Sequence, residues 1–231
     1  AHRYEVPVIS YDRLIKNCDL DYYVSFENTR VGELMADYLS KRCPVGNYAV
    51  ICGPASDNNS RMLKLGQMQS IQPFIEKGDI KLVFDECVDE WSPEEGYRLM
   101  KKCLAANEKI DAVLCGNDAL AHGVIDALKE NNLAGQVLVS GQDAETVAIQ
   151  NIMAGYQTMT VYKPIEAIAI TAANLAIKVG RGEPITEAIH TTNNGQKMVQ
   201  SILLESMVVN RDNINMTVIA EGYLKEHNLS E

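Results

Sequence analysis

The chain has 231 residues, of which 46% are hydrophobic and 23% charged, and its formal net charge is −10 at pH 7. This length allows one large or two small domains with a substantial buried core. The negative charge disfavours nucleic acid as a partner, because phosphate contacts require a basic surface, and no stretch has the roughly 20 consecutive apolar residues of a membrane-spanning helix.

Short apolar runs alternate with amphipathic helical patterns along most of the chain. The predicted strands are 6–12, 22–26, 47–53, 80–88, 111–116, 136–141 and 157–162. The predicted helices lie near 28–42, 59–77, 93–106, 118–131, 144–153 and 164–181. Alternation of this kind with short connections predicts parallel sheets that carry helices on both faces.

The pattern changes after the last of these helices. A turn is predicted at Asn193-Asn194-Gly195, because Asn and Gly tolerate the backbone conformations that tight turns need. Residues 200–210 then predict two extended segments. A short terminal helix follows, with Asp212 or Asn213 as its cap.

Polar residues lie between strand and helix at three places: Asp57 with Asn59, Asn117, and Asp143. Each has a simple explanation as a helix N-cap, since Asp and Asn side chains accept hydrogen bonds from the first helical amides. The carboxyl ends of parallel strands, however, share one edge of a sheet, where ligands of α/β proteins bind. Together with Trp91, the only tryptophan, these side chains predict a site for a ligand rich in hydroxyl groups.

The motifs of common enzyme classes are absent from the sequence. It contains no Walker A motif, no G-x-G-x-x-G after a strand and no Gly-x-Ser-x-Gly elbow. The scattered histidines form no metal or triad pattern: His2, His122, His190 and His227. We therefore predict that the protein is not an enzyme and uses no cofactor and no metal.

The cysteines form no C-x-x-C or zinc-type pattern: Cys18, Cys43, Cys52, Cys87, Cys103 and Cys115. Two of them, Cys52 and Cys115, lie in apolar runs, where cysteine packs as a small hydrophobic residue. We expect all six to be free structural thiols, although the sequence leaves room for one disulfide. Such cysteine use suggests the cytosol, or the outside of a cell that lives under reducing conditions.

Six ordered segments and the C-terminal tail resemble the periplasmic sugar-binding proteins of the ribose, galactose and xylose group, and most of all its xylose-binding members. The segments are YDR (11–13), GPASDNN (53–59), DEWSPE (89–94), GNDALAHG (116–123), GQDAE (141–145) and TMTVYKP (158–164), and the tail is SILLESMVVNRDNINMTVIAEGYL (201–224). The resemblance covers nearly the whole chain.

The resemblance implies an α/β fold of two doubly wound parallel-sheet lobes joined by a three-segment hinge, with the sugar between the lobes. Residues 1–19 and 160–185 would belong to the N-terminal lobe, and 20–157 and 198–231 to the C-terminal lobe. About a hundred residues of a typical N-terminal lobe would then lie outside this sequence. That missing segment would be a structural partner of the chain.

The resemblance also implies which residues bind the ligand: Asp12, Arg13, Asp57, Asn59, Trp91, Asn117, Asp143 and Lys163. Carboxylates can accept hydrogen bonds from sugar hydroxyls, Arg and Lys can donate them, and amides can do both. The indole of Trp91 would stack on the C–H-rich face of a pyranose. The alternative for Trp91 is a hydrophobic staple under the following helix.

By the same resemblance, the function would be to bind an aldopentose, D-xylose, outside the cytoplasm, and to close on it for a membrane partner. That partner would be an ABC-transporter permease or a sensor histidine kinase. The location would be periplasmic or extracellular, with or without a membrane anchor. The alternative is the effector-binding core of a sugar-responsive transcription regulator, which shares the fold and requires an upstream helix-turn-helix. A third class is an enzyme acting on sugars or nucleosides, which would differ from the other two by converting the sugar to a product.

Overall fold

The computed structural model describes residues 1–107, 109–220, 222 and 223. The strands are β1 (Ile9–Tyr11), β2 (Tyr22–Phe26), β3 (Gly46–Cys52), β4 (Ile80–Cys87), β5 (Ala112–Cys115), β6 (Leu138–Ser140), β7 (Thr160–Tyr162), β8 (His190–Asn193), β9 (Met198–Leu204) and β10 (Met207–Val209). The helices are α1 (Asn28–Arg42), α2 (Asn58–Lys77), α3 (Pro93–Ala106), α4 (Asp118–Glu130), α5 (Thr146–Ala154) and α6 (Ile165–Gly180). Short 3₁₀ turns span His2–Tyr4 and Ile214–Met216.

All strands and helices predicted up to residue 181 are present, with ends within three residues of the predicted ones. The predicted turn is confirmed as well, because β8 and β9 pair antiparallel around Gly195, which has a φ of 96°. The predicted terminal helix is only a three-residue 3₁₀ turn in the described residues, and His227 and most of the chain after 220 lie outside them. Asn213 makes no cap hydrogen bond there, since its side chain instead bonds the backbone of Asn210 and Val208.

The chain divides into two compact units and crosses between them three times, in agreement with the predicted fold class. Among the residues that the structure describes, the first unit contains 1–28 and 163–206, and the second contains those within 29–162 and from 207 onward. The predicted lobe boundaries differ from these units, because residues 20–28 and 198–206 fall in the first unit and residues 160–162 fall in the second, where β7 pairs with β10. The reason is strand pairing: β2 lies between β1 and β9 and is parallel to both.

The first unit has a four-stranded sheet with the order β1-β2-β9-β8, in which β8 alone runs antiparallel to its neighbour. Val24 and Phe26 of β2 pack against Ile168 and Leu175 of α6. Elsewhere α6 carries exposed isoleucines: Ile165, Ile170 and Ile177.

The second unit has a four-stranded parallel sheet with the order β4-β3-β5-β6. Successive residues of a strand face opposite sides of a sheet, and here both sides are covered. Ile51 of β3 packs in one core with residues of α3 and α4, while its neighbour Val50 packs in another with residues of α1 and α2. The unit is therefore doubly wound, which places the carboxyl ends of its strands at a common edge.

A disulfide joins Cys52 and Cys87, the last residues of β3 and β4. The expectation that all six cysteines are free thiols is therefore wrong. The parallel register pairs these two residues directly and brings their Cα atoms to 4.4 Å, although 35 residues separate them in sequence. Strand register arises from tertiary pairing, so cysteine spacing gave no sign of it.

The other four cysteines are free, and two of them, Cys103 and Cys115, are buried. Burial raises the pKa of the Cys103 thiol to about 11 and raises that of Cys115 as well, so both act as small apolar residues.

Among the residues described, no helix combines the length and the apolar character that crossing a bilayer requires.

Candidate functional site

Three helices of the second unit begin where strands β3, β4 and β5 end, and each begins with a side-chain cap. The carboxylate of Asp57 accepts a hydrogen bond from the amide of Asn59 at 2.8 Å, at the start of α2. The hydroxyl of Ser92 accepts from Glu95 N at 3.4 Å, and the amide oxygen of Asn117 accepts from Leu120 N at 2.9 Å. The capping interpretation is thus confirmed for Asp57 and Asn117, which places both side chains at the shared strand edge.

Trp91 lies across this edge. Its indole Nε1 donates to the second carboxylate oxygen of Asp57 at 3.2 Å. A Cβ atom added to Gly53 would lie 2.0 Å from ring atom Cη2, and one added to Gly116 would lie 2.8 Å from Cζ3. Glycine at these two strand ends therefore leaves the space that the ring occupies.

The ring of Trp91 is partly buried and packs against both hydrophobic cores of the second unit. The indole is thus anchored by its packing and by its bond to Asp57, while part of it stays accessible. An aromatic surface fixed in this way, next to a carboxylate and an amide, can hold the apolar face of a small hydroxylated molecule.

The turn after β6 has an unusual backbone. Asp143 has a φ of 100° and Ala144 a φ of 53°, values that residues other than glycine rarely adopt. The amide of Asp143 donates to Val161 O at 2.8 Å, and the hydroxyl of Tyr223 donates to Asp143 O at 3.4 Å. Strained turns of this kind occur most often at functional sites, and the sequence pattern did not reveal the strain.

Asp118 is a fully buried acid beside these turns and was not among the predicted site residues. Its side chain accepts hydrogen bonds from Gln157, Thr160 and the amide of Glu145. Burial, the largest effect, and the negative charge of Asp143 raise the pKa of Asp118 well above its ordinary value, while the three hydrogen bonds lower it. The sequence placed Asp118 at the start of a helix, but nothing in it predicted burial.

The remaining predicted site residues, Asp12, Arg13 and Lys163, lie in the first unit. Asp12 follows β1 with a φ of 57°, and its carboxylate lies 3.0 Å from the guanidinium of Arg13. The backbone carbonyl of Asp12 accepts from the hydroxyls of Tyr23 and Ser25. The Nζ atom of Lys163 lies 6.0 Å from the ring centre of Phe26.

The structure therefore brings together part of the predicted site in each unit. In the second unit Trp91 contacts Asp57 and the glycine that precedes Asn117, and Asn59 is buried in the first turn of α2. Asp143 follows β6, which is the strand next to β5. That these residues form one site with Asp12, Arg13 and Lys163 stays a prediction.

A separate groove of about 550 Å³ runs between α3 and α4 and contains none of the predicted site residues. It is lined by Pro93, Glu94, Tyr97, Gly123, Asp126 and Glu130.

Within the part of the chain that the structure describes, no group of three or more His, Cys, Asp and Glu side chains could hold a metal ion.

Comparison with known proteins agrees with this architecture. Residues 1–184 match the family described as periplasmic binding protein domain. The D-xylose-binding periplasmic protein of Escherichia coli strain K12 is 47% identical over 225 residues, which are 97% of this chain and 68% of that protein. The protein of the same name from Haemophilus influenzae is 46% identical over 224 residues, covering 96% of this chain and 67% of its own length.

A solved structure shows the same fold. It is a carbohydrate transporter solute binding protein from Chloroflexus aurantiacus in complex with D-glucose, and it is 29% identical with a TM-score of 0.90. The match covers 99% of this chain and 75% of that one. From the family match, the identity to the two xylose-binding proteins and the doubly wound units, we conclude that the chain belongs to the periplasmic sugar-binding proteins of the type I fold.

Proposed function

We propose that this chain binds D-xylose, or an aldopentose very similar to it, and releases the sugar unchanged. The observation that carries the proposal is the placement of Trp91, whose indole lies over Gly53 and Gly116 and is bonded to Asp57. The 47% identity to the Escherichia coli protein named for D-xylose supports the choice of sugar. Stacking on an indole suits a pyranose, because one face of the sugar ring presents mainly C–H groups.

The polar side chains suit the hydroxyl groups of the same ligand. The carboxylates of Asp57 and Asp143 can accept hydrogen bonds, and the amide of Asn117 can donate through its nitrogen while its oxygen caps α4. A hydrogen bond to a charged group contributes about 1.5–3 kcal/mol. A sugar that lacks one of the expected hydroxyls would leave a buried polar group without a partner, so we expect steep discrimination between sugars.

We also propose an extracytoplasmic location, periplasmic or extracellular, with or without a membrane anchor. The Cys52–Cys87 disulfide supports it, since disulfides persist mainly in oxidising compartments outside the cytosol. Closure on the sugar would then present the protein to a membrane partner. We favour an ABC-transporter permease over a sensor histidine kinase as that partner.

The proposal is tested by calorimetric titration of the full-length protein with a panel of pentoses and hexoses. We expect D-xylose to bind most tightly, at one sugar per chain, with D-glucose weaker because its hydroxymethyl arm must be accommodated. NMR of the recovered sugar should show D-xylose unchanged. Absence of binding to every pentose, or a product in the NMR spectrum, would contradict the proposal.

Variants of Asn117 should separate its two roles. Asn117→Ala removes the cap of α4 and should lower the free energy of unfolding by about 1 kcal/mol. Asn117→Asp keeps an oxygen for the cap but loses the amide donor, so it should retain stability and weaken D-xylose binding by about 0.5–1.5 kcal/mol. Denaturant unfolding and calorimetry measure the two effects. If Asn117→Asp binds D-xylose as tightly as the wild type, Asn117 is a structural cap only.

A further inference from the structure

The side chain of Asp118 connects three separate parts of the second unit. It is fully buried, with none of its surface exposed. One carboxylate oxygen accepts from Gln157 Nε2 at 2.8 Å, and the other accepts from Thr160 Oγ1 at 2.8 Å and from Glu145 N at 3.1 Å. These donors belong to the segment before β7, to β7 itself and to the turn that follows β6.

The backbone of Asp118 holds the same turn from a second direction. Its amide donates to Gln142 O at 3.0 Å. A Cβ atom added to Gly141 would lie 2.0 Å from Oδ1 of Asp118, so the turn packs directly on the carboxylate. Asp118 also directly follows Asn117 in the chain. It therefore connects the start of α4 to the turn that contains Asp143.

This turn needs such support because of its backbone conformation. Asp143 and Ala144 both have positive φ angles, which persist only where the surrounding structure enforces them. The amide of Ala144 donates to Thr160 Oγ1 at 3.3 Å, and the same hydroxyl donates to Asp118. A continuous set of hydrogen bonds thus leads from Asp118 through Thr160 to the residue after Asp143.

A contribution to folding stability does not by itself explain why an acidic residue is buried at position 118. Burial of a carboxylate carries a desolvation cost, and apolar replacements of buried charged groups are often neutral or stabilising. The bonds of Asp118 are directed at the turn that carries a proposed sugar-binding residue. A role in holding that turn accounts for the position of the acid and for the direction of its bonds.

We propose that Asp118 is a positioning residue, which sets the affinity for the sugar by holding the Gly141–Glu145 turn in the conformation that presents Asp143. The proposal rests on the proposed binding of D-xylose and extends it, because Asp118 itself would not touch the sugar. Its effect on affinity would be transmitted through Asp143.

The test uses Asp118→Asn in the full-length protein, since Asn has the same shape but cannot accept from all three donors. We expect D-xylose to bind about tenfold more weakly, which is within the range for the net loss of one hydrogen bond. Asp126→Asn is the matched control, because Asp126 lies on the same helix, is partly exposed and pairs with Lys129 at the surface. That control should bind D-xylose like the wild type.

A double-mutant cycle separates positioning from a general structural effect. In an Asp143→Ala background, Asp118→Asn should change D-xylose affinity by less than about twofold, because the residue through which it acts is gone. Hydrogen exchange should show faster exchange of the Ala144 and Glu145 amides in Asp118→Asn, with the amides of β3 unchanged. If Asp118→Asn does not fold, Thr160→Val replaces it, since this change removes one hydroxyl and should weaken binding in the same direction.

Two results would overturn the proposal. One is wild-type affinity in Asp118→Asn accompanied by a lower melting temperature, which would show a purely structural role. The other is an equal loss of affinity with and without Asp143. Failure of the wild-type protein to bind D-xylose would instead reject the proposed function, and the exchange of the Ala144 and Glu145 amides would still report whether Asp118 holds the turn.

Discussion

Replacement of Trp91 by alanine is expected to weaken D-xylose binding by about 1–3 kcal/mol, roughly 5- to 150-fold. This magnitude is taken from the stacking of aromatic side chains on nucleic-acid bases. Two physical effects combine in this loss. The flat surface that covers Gly53 and Gly116 disappears, and Asp57 loses the bond from the indole Nε1 at 3.2 Å. The affinity should be measured by calorimetry at a temperature where circular dichroism shows the variant to be folded.

Trp91→Phe provides the matched control for this prediction. It keeps a flat aromatic ring but loses the Nε1 donor, so its affinity should lie between those of the wild type and Trp91→Ala. Because the ring also packs against both cores, some loss of stability is expected in either variant. Unchanged affinity in Trp91→Ala, together with lower stability, would identify Trp91 as the hydrophobic staple of the alternative interpretation.

Removal of the Cys52–Cys87 disulfide is expected to lower the free energy of unfolding by about 2–4 kcal/mol. The bond closes a 35-residue loop and ties together two neighbouring strands of the second unit. Substitution of both cysteines by alanine avoids placing a hydroxyl at the buried position 52. The preference among sugars should be unchanged, because neither cysteine is among the proposed ligand contacts.

Denaturant unfolding with and without a thiol reductant measures this effect. Cys87 is exposed, so a reductant should reach the bond, and the wild-type protein should lose stability when it is reduced. The double alanine variant should be insensitive to the reductant. Equal stability of the wild type under both conditions, or free thiols at both Cys52 and Cys87 in the unfolded protein before reduction, would contradict the prediction.

The local structure of this chain could be predicted from its sequence because the responsible signals are local. The apolar run at β3 and the helical spacing in α1 each specify an element without reference to the rest of the fold. Pairing between distant strands has no such signal. For this reason the sequence did not predict that β2 joins β1 and β9, nor that Cys52 and Cys87 are register partners.

The candidate site was predictable to a similar extent. Asp57, Trp91 and Asn117 follow predicted strands, so their position at the sheet edge could be foreseen, and the resemblance added the stacking role of Trp91. The space that glycine provides for the indole at positions 53 and 116 depends on contacts across three strand ends. The burial of Asp118 likewise depends on donors 27 to 42 residues away in the chain.

The central claim is that the ring of Trp91 forms part of a sugar-binding site, and the fluorescence of this ring tests it directly. Trp91 is the only tryptophan of the sequence, so in a protein without other tryptophans the emission comes from this indole alone. On titration with D-xylose we predict a saturable change in emission, with the midpoint found by calorimetry, and protection of the indole from acrylamide quenching. Calorimetric binding of D-xylose with unchanged emission and unchanged quenching would contradict the claim.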